Sequence, residues 1–359
     1  MTSIWFMAWI CIIDLGLNWV GRFEEARTGG QSSLARYLEY GRSLEGKLER
    51  MVGKDGQGQN SIISAGWIDP AQWTSLPADK ARADQTLMVV YGQSFAFRVA
   101  RQALASNDRL VLRSIGGPAA PISHSYAAYL ADTHRSRADI VVVGVLASSL
   151  DKSSAISGAG YTFENPAPFT FPRHFQSPQG VWQAELPVVQ TEQGFRQAFQ
   201  SRGETWSRFV DQLMRNNPAL DAFVVKQSVL DESALARLAR RGWYSAKNAE
   251  SKEGTDNDQH QGALARNWAP NLHALSQMQA LAASRQERLI VLLFQDKGTP
   301  KEVSDTLIPF FKNSRISYID SREFIDPMDK NNFIADGHFV AAADEKIAQR
   351  LLGMIKDAP

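Results

Sequence analysis

Short apolar runs recur along the chain, and segments with helical spacing separate most of them. Continuous apolar runs that alternate with helices are typical of parallel strands buried on both faces. The chain is therefore expected to form an α/β fold with a central parallel sheet of about five strands and right-handed crossovers. The predicted strands cover residues 87–91, 108–114, 138–146, 288–294 and 316–319.

Helical spacing accounts for most of the remaining chain. Residues 218–270 are interpreted as a helical insertion, with a polar loop at 253–262, that either caps a site or docks another subunit. The predicted helices cover residues 95–106, 124–133, 191–216, 218–252, 271–286, 301–312 and 341–355.

Two stretches show neither the spacing of a helix nor the apolar run of a strand. Residues 61–77 contain Trp67 and Trp73 and are interpreted as a strap packed on the domain, with a substrate lip as the alternative. Residues 150–189 are rich in proline, phenylalanine and glycine, a composition typical of a functional lid or a packed strap. Its aromatic side chains could line an acyl or sugar pocket or simply pack: Tyr161, Phe163, Phe169 and Phe171.

An apolar segment over residues 4–20 is close to the shortest length that spans a membrane, and its tryptophans suit membrane interfaces. Asp14 and Asn18 weaken the pattern, and in a span Asp14 would face a protein partner rather than lipid. We interpret residues 1–21 as an uncleaved N-terminal membrane anchor. A signal peptide and a buried helix of a soluble protein are the alternatives.

The segment after the anchor, residues 22–60, is charged and helical in pattern and is predicted to be a connector that ends in a glycine-rich hinge. Arg22 and Arg27 follow the apolar segment and no basic residue precedes it, so the positive-inside rule does not favour an outward-facing body. Residues 61–359 are expected to form the main domain.

Composition excludes several classes of function. The chain has 359 residues, 44% of them hydrophobic, and a net charge of +1, which gives no basic footprint for nucleic acid. Cys11 is the only cysteine, so neither an internal disulfide nor a cysteine-based zinc site can form. No metal or organic cofactor is predicted.

Ser94 follows the first predicted strand and begins a predicted helix. A serine at this turn lies at the carboxyl end of a parallel strand, where such sheets place their sites, and the helix directs free N–H groups towards negative charge. Serine needs a histidine base, and the base needs an acid that fixes its tautomer. Asp336 and His338 lie just before the last predicted helix and are the candidate partners.

Three motifs resemble the SGNH/GDSL hydrolase superfamily: Gly92-Gln93-Ser94, Gly116-Gly117 and Asp336-Gly337-His338-Phe339. The resemblance covers residues 86 to about 352. It implies a flavodoxin-like three-layer α/β/α sandwich, and it implies ester hydrolysis or acyl transfer as the activity.

The resemblance also implies roles for individual residues. Ser94 would be the nucleophile and His338 the base. A backbone N–H of Gly116 or Gly117 would bind the oxyanion. Asp336 would orient the base, with capping of the last helix as its alternative role. Its spacing of two residues from the histidine resembles that of polysaccharide O-acetyltransferase relatives.

The chain departs from the family pattern at two positions. Leu146 occupies the place of an asparagine that donates to the oxyanion, and Ser148 or Ser149 could supply a hydroxyl instead. Gln93 stands where many members have aspartate, and it could hydrogen-bond across the turn.

The remaining histidines carry less information. His124 lies near the glycine loop and is interpreted as structural, with substrate contact as the alternative. The spacing of the other four does not suggest a metal site: His134, His174, His260 and His273.

The predicted function is that of a membrane-anchored serine esterase or acyltransferase acting outside the cytoplasm, on O-acyl groups of an exported or cell-surface polysaccharide. A small-molecule or lipid ester is a further possible substrate. The alternative is a catalytically inactive subunit of the same shape that binds glycan or scaffolds a membrane synthesis complex. A cytosolic nucleotide-binding protein is disfavoured because no glycine-rich phosphate loop follows the first strand.

Overall fold

The computed structural model describes most of the chain, in two compact units. The helical unit comprises Met1–Ser64, Ser157–Pro168 and Glu192–Asn257, and the sheet unit comprises Ala65–Ile156, Phe169–Thr191 and Asp258–Pro359. The described residues are 2–28, 33–53, 58–161, 163–253 and 257–356.

Helices and strands are numbered in chain order. The helices are α1 Thr2–Thr28, α2 Ser33–Glu39, α3 Leu44–Val52, α4 Ser61–Ser64, α5 Ser94–Ala105, α6 Ile122–Ala131, α7 Glu192–Ser201, α8 Glu204–Asn216, α9 Ala222–Val225, α10 Ala234–Glu253, α11 Asn257–Ser284, α12 Glu302–Asn313 and α13 Ala341–Lys356. The strands are β1 Thr86–Gly92, β2 Leu110–Gly116, β3 Ile140–Leu146, β4 Arg173–Gln176, β5 Trp182–Glu185, β6 Arg288–Phe294 and β7 Ser317–Asp320.

Five parallel strands form the central sheet in the order β2-β1-β3-β6-β7. The register pairs Gly92 with Gly116 and Val90 with Val142, so the carboxyl ends of β1, β2 and β3 meet at one edge. This confirms the predicted α/β fold, a flavodoxin-like sandwich with an N-terminal apolar helix.

Helices cover both faces of the sheet. Side chains alternate along β1, so Leu87, Val89 and Tyr91 pack with α6, α11 and α12 in one apolar core. Met88 and Val90 point the other way and pack with α5 and α13 in a second core. Burial on both faces explains why these strands are continuous apolar runs in the sequence.

A helix prediction and a loop prediction were wrong. The single helix expected over 191–216 is broken between α7 and α8, because Arg202 adopts a left-handed backbone with φ of 50° and Gly203 is extended. The polar loop expected over 253–262 contains the start of α11, which begins at Asn257, while residues 254–256 lie outside the described part. Polar composition there was interpreted as a loop although the alanine and leucine that follow favour a helix.

The irregular stretches contain more structure than expected. Residues 150–189 include an antiparallel hairpin, β4 with β5, which the sequence analysis missed. The strap interpretation of the tryptophan segment is confirmed within the sheet unit. Trp73 is buried in the first core, and Arg113 donates to the backbone carbonyls of Trp73, Leu76 and Pro77.

The predicted helical insertion is divided between the units. Its helices α9 and α10 belong to the helical unit together with α1, α2 and α3, whereas most of α11 belongs to the sheet unit. The centre of the predicted glycine hinge, 54–57, lies outside the described residues.

Helix α1 contains the predicted apolar segment. Residues Trp5–Arg27 are long and apolar enough to cross a membrane, with a mean hydropathy of 1.3, a property that a signal sequence shares. The helix extends to Thr28, beyond the predicted end of the anchor at residue 21.

Substitution of Gly116 tests the close approach of the strand ends. A Cβ at position 116 would lie 1.7 Å from the carbonyl oxygen of Gly92, which is backbone and cannot rotate away. We expect Gly116→Ala to lower the free energy of unfolding by about 3 kcal/mol, measured by chemical denaturation. Gly353→Ala is the control, because nothing lies within 4 Å of its Cβ and alanine favours the helix. Equal stability of the two variants would contradict this packing.

Candidate active site

The candidate site lies at the carboxyl edge of the sheet. Strands β2 and β3 lie on opposite sides of β1, so the direction in which strands are added to the sheet reverses at β1. Parallel sheets form a ligand-binding crevice at such a switch point. Ser94 is the first residue of α5, and only Gln93 separates it from the end of β1. The predicted strand-to-helix turn is therefore present.

The structure brings Ser94 and His338 together. Their Oγ and Nε2 atoms lie 2.6 Å apart although the residues are 244 positions apart in the chain. At this distance Nε2 can accept the hydroxyl proton, which is the geometry that a general base requires.

A tight turn presents His338. Gly337 has a left-handed backbone with φ of 88°, and its N–H donates to the carbonyl of Ile334. The carbonyl of His338 accepts the N–H of Ile334, and Phe333 pairs with Phe339 across the turn. Only a residue that tolerates positive φ closes this turn without strain, which accounts for the glycine.

Asp336 lies beside His338 but is bound mainly to its backbone. The Asp336 Oδ1 atom is 3.0 Å from Nδ1 and also accepts the backbone N–H of His338 at 3.1 Å. Although Oδ1 is this close, Nδ1 has no hydrogen-bond partner of good geometry among the described residues. The carboxylate is thus an electrostatic neighbour of the ring rather than a well-aligned acceptor.

The surroundings of Asp336 keep it ionised. The backbone N–H of His338, followed by its ring, lowers the pKa of the Asp336 carboxyl, whose side chain is 63% exposed. Its alternative role, capping of the last helix, is not observed, since its bond goes to His338 and α13 begins only at Ala341.

Aromatic side chains enclose the imidazole on one side. The Phe95 ring lies 4.7 Å from the ring of His338, and Phe95 also contacts Phe294 and Phe339. This apolar contact restricts rotation of the imidazole and excludes water from one face of it.

Arg98 is a positioning residue that the sequence analysis missed. It follows Ser94 by one helical turn, and it donates to the carbonyl of Phe339 at 3.0 Å and to Asp344 Oδ2 at 2.7 Å. Asp344 is buried, and burial raises its pKa while Arg98 opposes that shift. The spacing of four residues between Ser94 and Arg98 places both on one side of a helix, and this spacing could have indicated that Arg98 lies near the site.

The predicted oxyanion donor is engaged elsewhere. The N–H of Gly117 donates to the carbonyl of Gly92 at 3.2 Å. A Cβ on Gly117 would lie 2.7 Å from the Cα of Gly66, so close packing accounts for this glycine, as it does for Gly116. By helix geometry the first N–H groups of α5, including that of Ser94, have no intrahelical acceptor and remain the best-placed donors.

The end of β3 offers one further hydroxyl. Ser149 Oγ donates to the carbonyl of Leu146 at 2.7 Å and is therefore used within its own turn. Ser148 has an exposed side chain, and its backbone N–H donates to Asp296 Oδ1 at 3.1 Å. Ser148 Oγ stays a predicted donor, and Leu146, at the asparagine position, is buried in the second core.

The expected hydrogen bond from Gln93 is not formed. Its side chain is fully buried, and neither Nε2 nor Oε1 has a partner among the described residues. The amide packs against Gly144 of β3, where a Cβ would come within 2.6 Å of Oε1. A buried amide without a partner costs about 1–3 kcal/mol.

His124 has a packing role. Its Nε2 donates to the carbonyl of Gly66 at 2.7 Å, and Phe169 and Phe171 meet its ring edge-on. Burial lowers its pKa to about 4, so the ring is neutral. Three aromatic residues of the segment 150–189 are likewise buried: Phe163, Phe169 and Phe171.

Two of the other histidines have neighbouring rings. His174 of the β4–β5 hairpin and His273 of α11 have ring centres 6.2 Å apart, and Trp182 stacks on His273. His134 is exposed, and the side chain of His260 lies outside the described part. Within the described residues no group of three or more His, Cys, Asp or Glu side chains could hold a metal ion.

No protein-family model matches the chain, and no curated protein matches it.

The buried His124 predicts a pH dependence of stability. Its pKa in the fold, about 4, is below the ordinary 6.5, so the unfolded chain binds more protons between these values. The contribution of His124 to the free energy of unfolding is fully present above pH 6.5. It decreases by at most about 3 kcal/mol as the pH falls towards 4.

Denaturation at pH 7 and at pH 4.5 measures this effect. We expect His124→Gln, which keeps an N–H donor for Gly66, to lose less stability on acidification than the wild type. The exposed His134→Gln variant is the control and should behave as the wild type. An unchanged pH dependence in His124→Gln would contradict the assignment.

Proposed function

We propose that the protein is a serine esterase or acyltransferase of the SGNH type. Ser94 is the nucleophile, His338 the general base and Asp336 its electrostatic support. The observation that carries the proposal is the 2.6 Å distance between Ser94 Oγ and His338 Nε2, at the carboxyl edge of a parallel sheet.

The proposed reaction proceeds through an acyl-enzyme. Ser94 Oγ attacks the ester carbonyl while His338 Nε2 takes the hydroxyl proton. The tetrahedral intermediate collapses, and His338 returns that proton to the departing alkoxide, which leaves as an alcohol. Water or a sugar hydroxyl then attacks the acylated Ser94, again with His338 as base, and the serine is regenerated. No cofactor takes part.

Oxyanion stabilisation is the weakest part of the proposed site. The N–H of Ser94 at the start of α5 supplies one donor, with the helix dipole behind it. Gly117 can contribute only if its N–H leaves the carbonyl of Gly92, and Ser148 Oγ is a further candidate. One missing donor raises the barrier by about 2.7–4 kcal/mol, which predicts a slow enzyme.

An acylated, exported or cell-surface polysaccharide is the proposed substrate. The Asp-x-His spacing of Asp336 and His338 and the apolar helix α1 favour it, since α1 would hold the protein at the membrane where such polymers are made. We place the catalytic unit on the outer side of that membrane, in association with a synthesis complex.

A non-catalytic role is the second candidate. Leu146 at the asparagine position, the engaged N–H of Gly117 and the unsatisfied Gln93 favour a subunit that binds glycan or scaffolds a membrane complex. Retention of Ser94 beside His338 favours the enzyme.

Labelling with a fluorophosphonate probe separates the two candidates. The full chain in detergent should react at Ser94, because an activated serine attacks phosphorus as it attacks a carbonyl. We expect labelling to be lost in Ser94→Ala and His338→Ala. Ser149→Ala is the matched control, because this serine already donates to Leu146 and should not matter for labelling. A folded wild-type chain that stays unlabelled would support the scaffold.

Asp336 should matter less than a buried triad acid. Removal of an orienting aspartate from a buried triad costs ~10⁴-fold in rate. Asp336 is largely exposed and poorly aligned with Nδ1, so Asp336→Asn, which can still accept the backbone N–H of His338, should slow labelling by far less. The labelling rate constant measures this, and a loss as large as that of His338→Ala would show that the carboxylate aligns with the ring during reaction.

A further inference from the structure

Helix α1 has an unusual division between exposed and contacted residues. Its exposed apolar side chains include Trp5, Trp9, Ile12, Trp19 and Phe23, of which Trp5 is 69% and Trp19 67% accessible. Tryptophan and phenylalanine of this exposure are unfavourable in water and suit a lipid interface.

The opposite side of α1 is half-buried within the helical unit. This stripe recurs at helical spacing, and a Cβ on Gly21 would touch Leu38 of α2 at 3.0 Å. Its members are Ile10, Asp14, Leu17, Asn18, Gly21 and Glu24. Residues 5–13 before Asp14 are apolar without exception and exposed on most sides.

Asp14 is bound to the start of α10. Its Oδ1 atom accepts the hydroxyl of Ser233 at 2.9 Å and the backbone N–H of Leu235 at 2.8 Å. The carboxylate therefore satisfies a free N–H at a helix N-terminus, where the helix dipole also favours negative charge.

Asn18 continues this contact one turn later. Its Oδ1 accepts from Arg237 of α10 at 2.8 Å, and Arg237 also pairs with Glu39, which in turn pairs with Arg42 and Arg50. The side of α1 that begins at Asp14 thus lies against a charged network. Such a network cannot enter the hydrocarbon core of a bilayer without losing its hydration.

We propose that Asp14 marks the membrane boundary of α1. The all-apolar residues before it insert into the hydrocarbon, while Asp14 and the residues after it stay outside, held to α10. Trp19, ~7.5 Å along the helix from Asp14, then lies in the headgroup region on the lipid side of the helix. The lipid bilayer is the partner of this surface.

This proposal differs from a span centred on the whole apolar window. Gly16 is the middle residue of Trp5–Arg27, so a span over that window puts Gly16 at the centre of the bilayer and Cys11 ~7.5 Å nearer to one surface. If Asp14 is the boundary, the order of depth in the bilayer is reversed, and Cys11 lies deeper than Gly16. The inference does not depend on chemistry at Ser94.

Spin-label depth measures that order directly. Cys11 is exposed and is the only cysteine, so the full wild-type chain can be labelled there without substitution. Gly16 has nothing within 4 Å of its Cβ, and Cys11→Ser with Gly16→Cys provides the second site. Both proteins are bound to vesicles of phosphatidylcholine with phosphatidylglycerol, and nitroxide accessibility to oxygen and to a nickel chelate gives the depth.

A deeper label at 11 than at 16, by several ångströms, supports the boundary at Asp14. A label at 16 that is as deep or deeper overturns it in favour of a span over the whole window. Labels that both stay in water overturn it as well, because α1 then does not bind lipid.

Asp14→Leu tests the cause of the boundary. Leucine removes the acceptor for Ser233 and Leu235, so α1 should leave α10 and the label at 16 should move to the depth of the label at 11 or beyond. Asp14→Asn is the matched control, because its Oδ1 still accepts both bonds and the order should stay as in the wild type. Circular dichroism verifies that both variants are folded. An unchanged depth order in Asp14→Leu would show that α10 does not set the boundary.

Discussion

The geometry of the candidate site depends on one interaction, the pair of bonds that Arg98 makes to Phe339 and Asp344. Ser94 starts the helix that carries Arg98, and His338 directly precedes Phe339. Helices α5 and α13 pack in the same core, which brings the last loop near Ser94, but apolar packing alone allows sliding. Directional, charge-assisted bonds at 2.7 and 3.0 Å restrict that sliding and so keep Nε2 within reach of Oγ.

The environment of the imidazole differs on its two sides. Phe95 covers it, whereas Asp336 approaches it from solvent. Because solvent screens charge, an exposed carboxylate stabilises an imidazolium less than a buried one does. The proposed chemistry therefore relies more on position than on electrostatic stabilisation, in keeping with the sparse oxyanion donors. A site of this kind would gain from a substrate that displaces water from Asp336.

Much of the fold could be predicted from the sequence, and less of the site. The strand core from Ile140 to Leu146 is a run of apolar residues that only a strand buried on both faces explains. The placement of Ser94 and His338 at one edge follows from that topology. The partners of polar groups do not follow from the sequence: the residues around Gly117 and Gln93 indicate neither that the N–H of Gly117 donates to Gly92 nor that the Gln93 amide has no partner among the described residues. The left-handed Arg202 likewise pairs with Glu45 at 3.1 Å, a partner that is distant in the sequence.

Close packing explains the glycines at the sheet edge, but it does not explain the pair of Ser94 and His338. Gly116, Gly117 and Gly144 all lie where a Cβ would strike a neighbouring strand, loop or side chain, so packing at the sheet edge suffices to account for them. The part of the resemblance that rests on Gly116-Gly117 is thus equally a property of strand ends that meet closely. Packing does not account for an imidazole nitrogen at 2.6 Å from the hydroxyl of Ser94, and neither does helix capping, because the N-cap position of α5 is Gln93 and no side chain caps this helix. The pair of Ser94 and His338, rather than the glycines, therefore carries the functional argument.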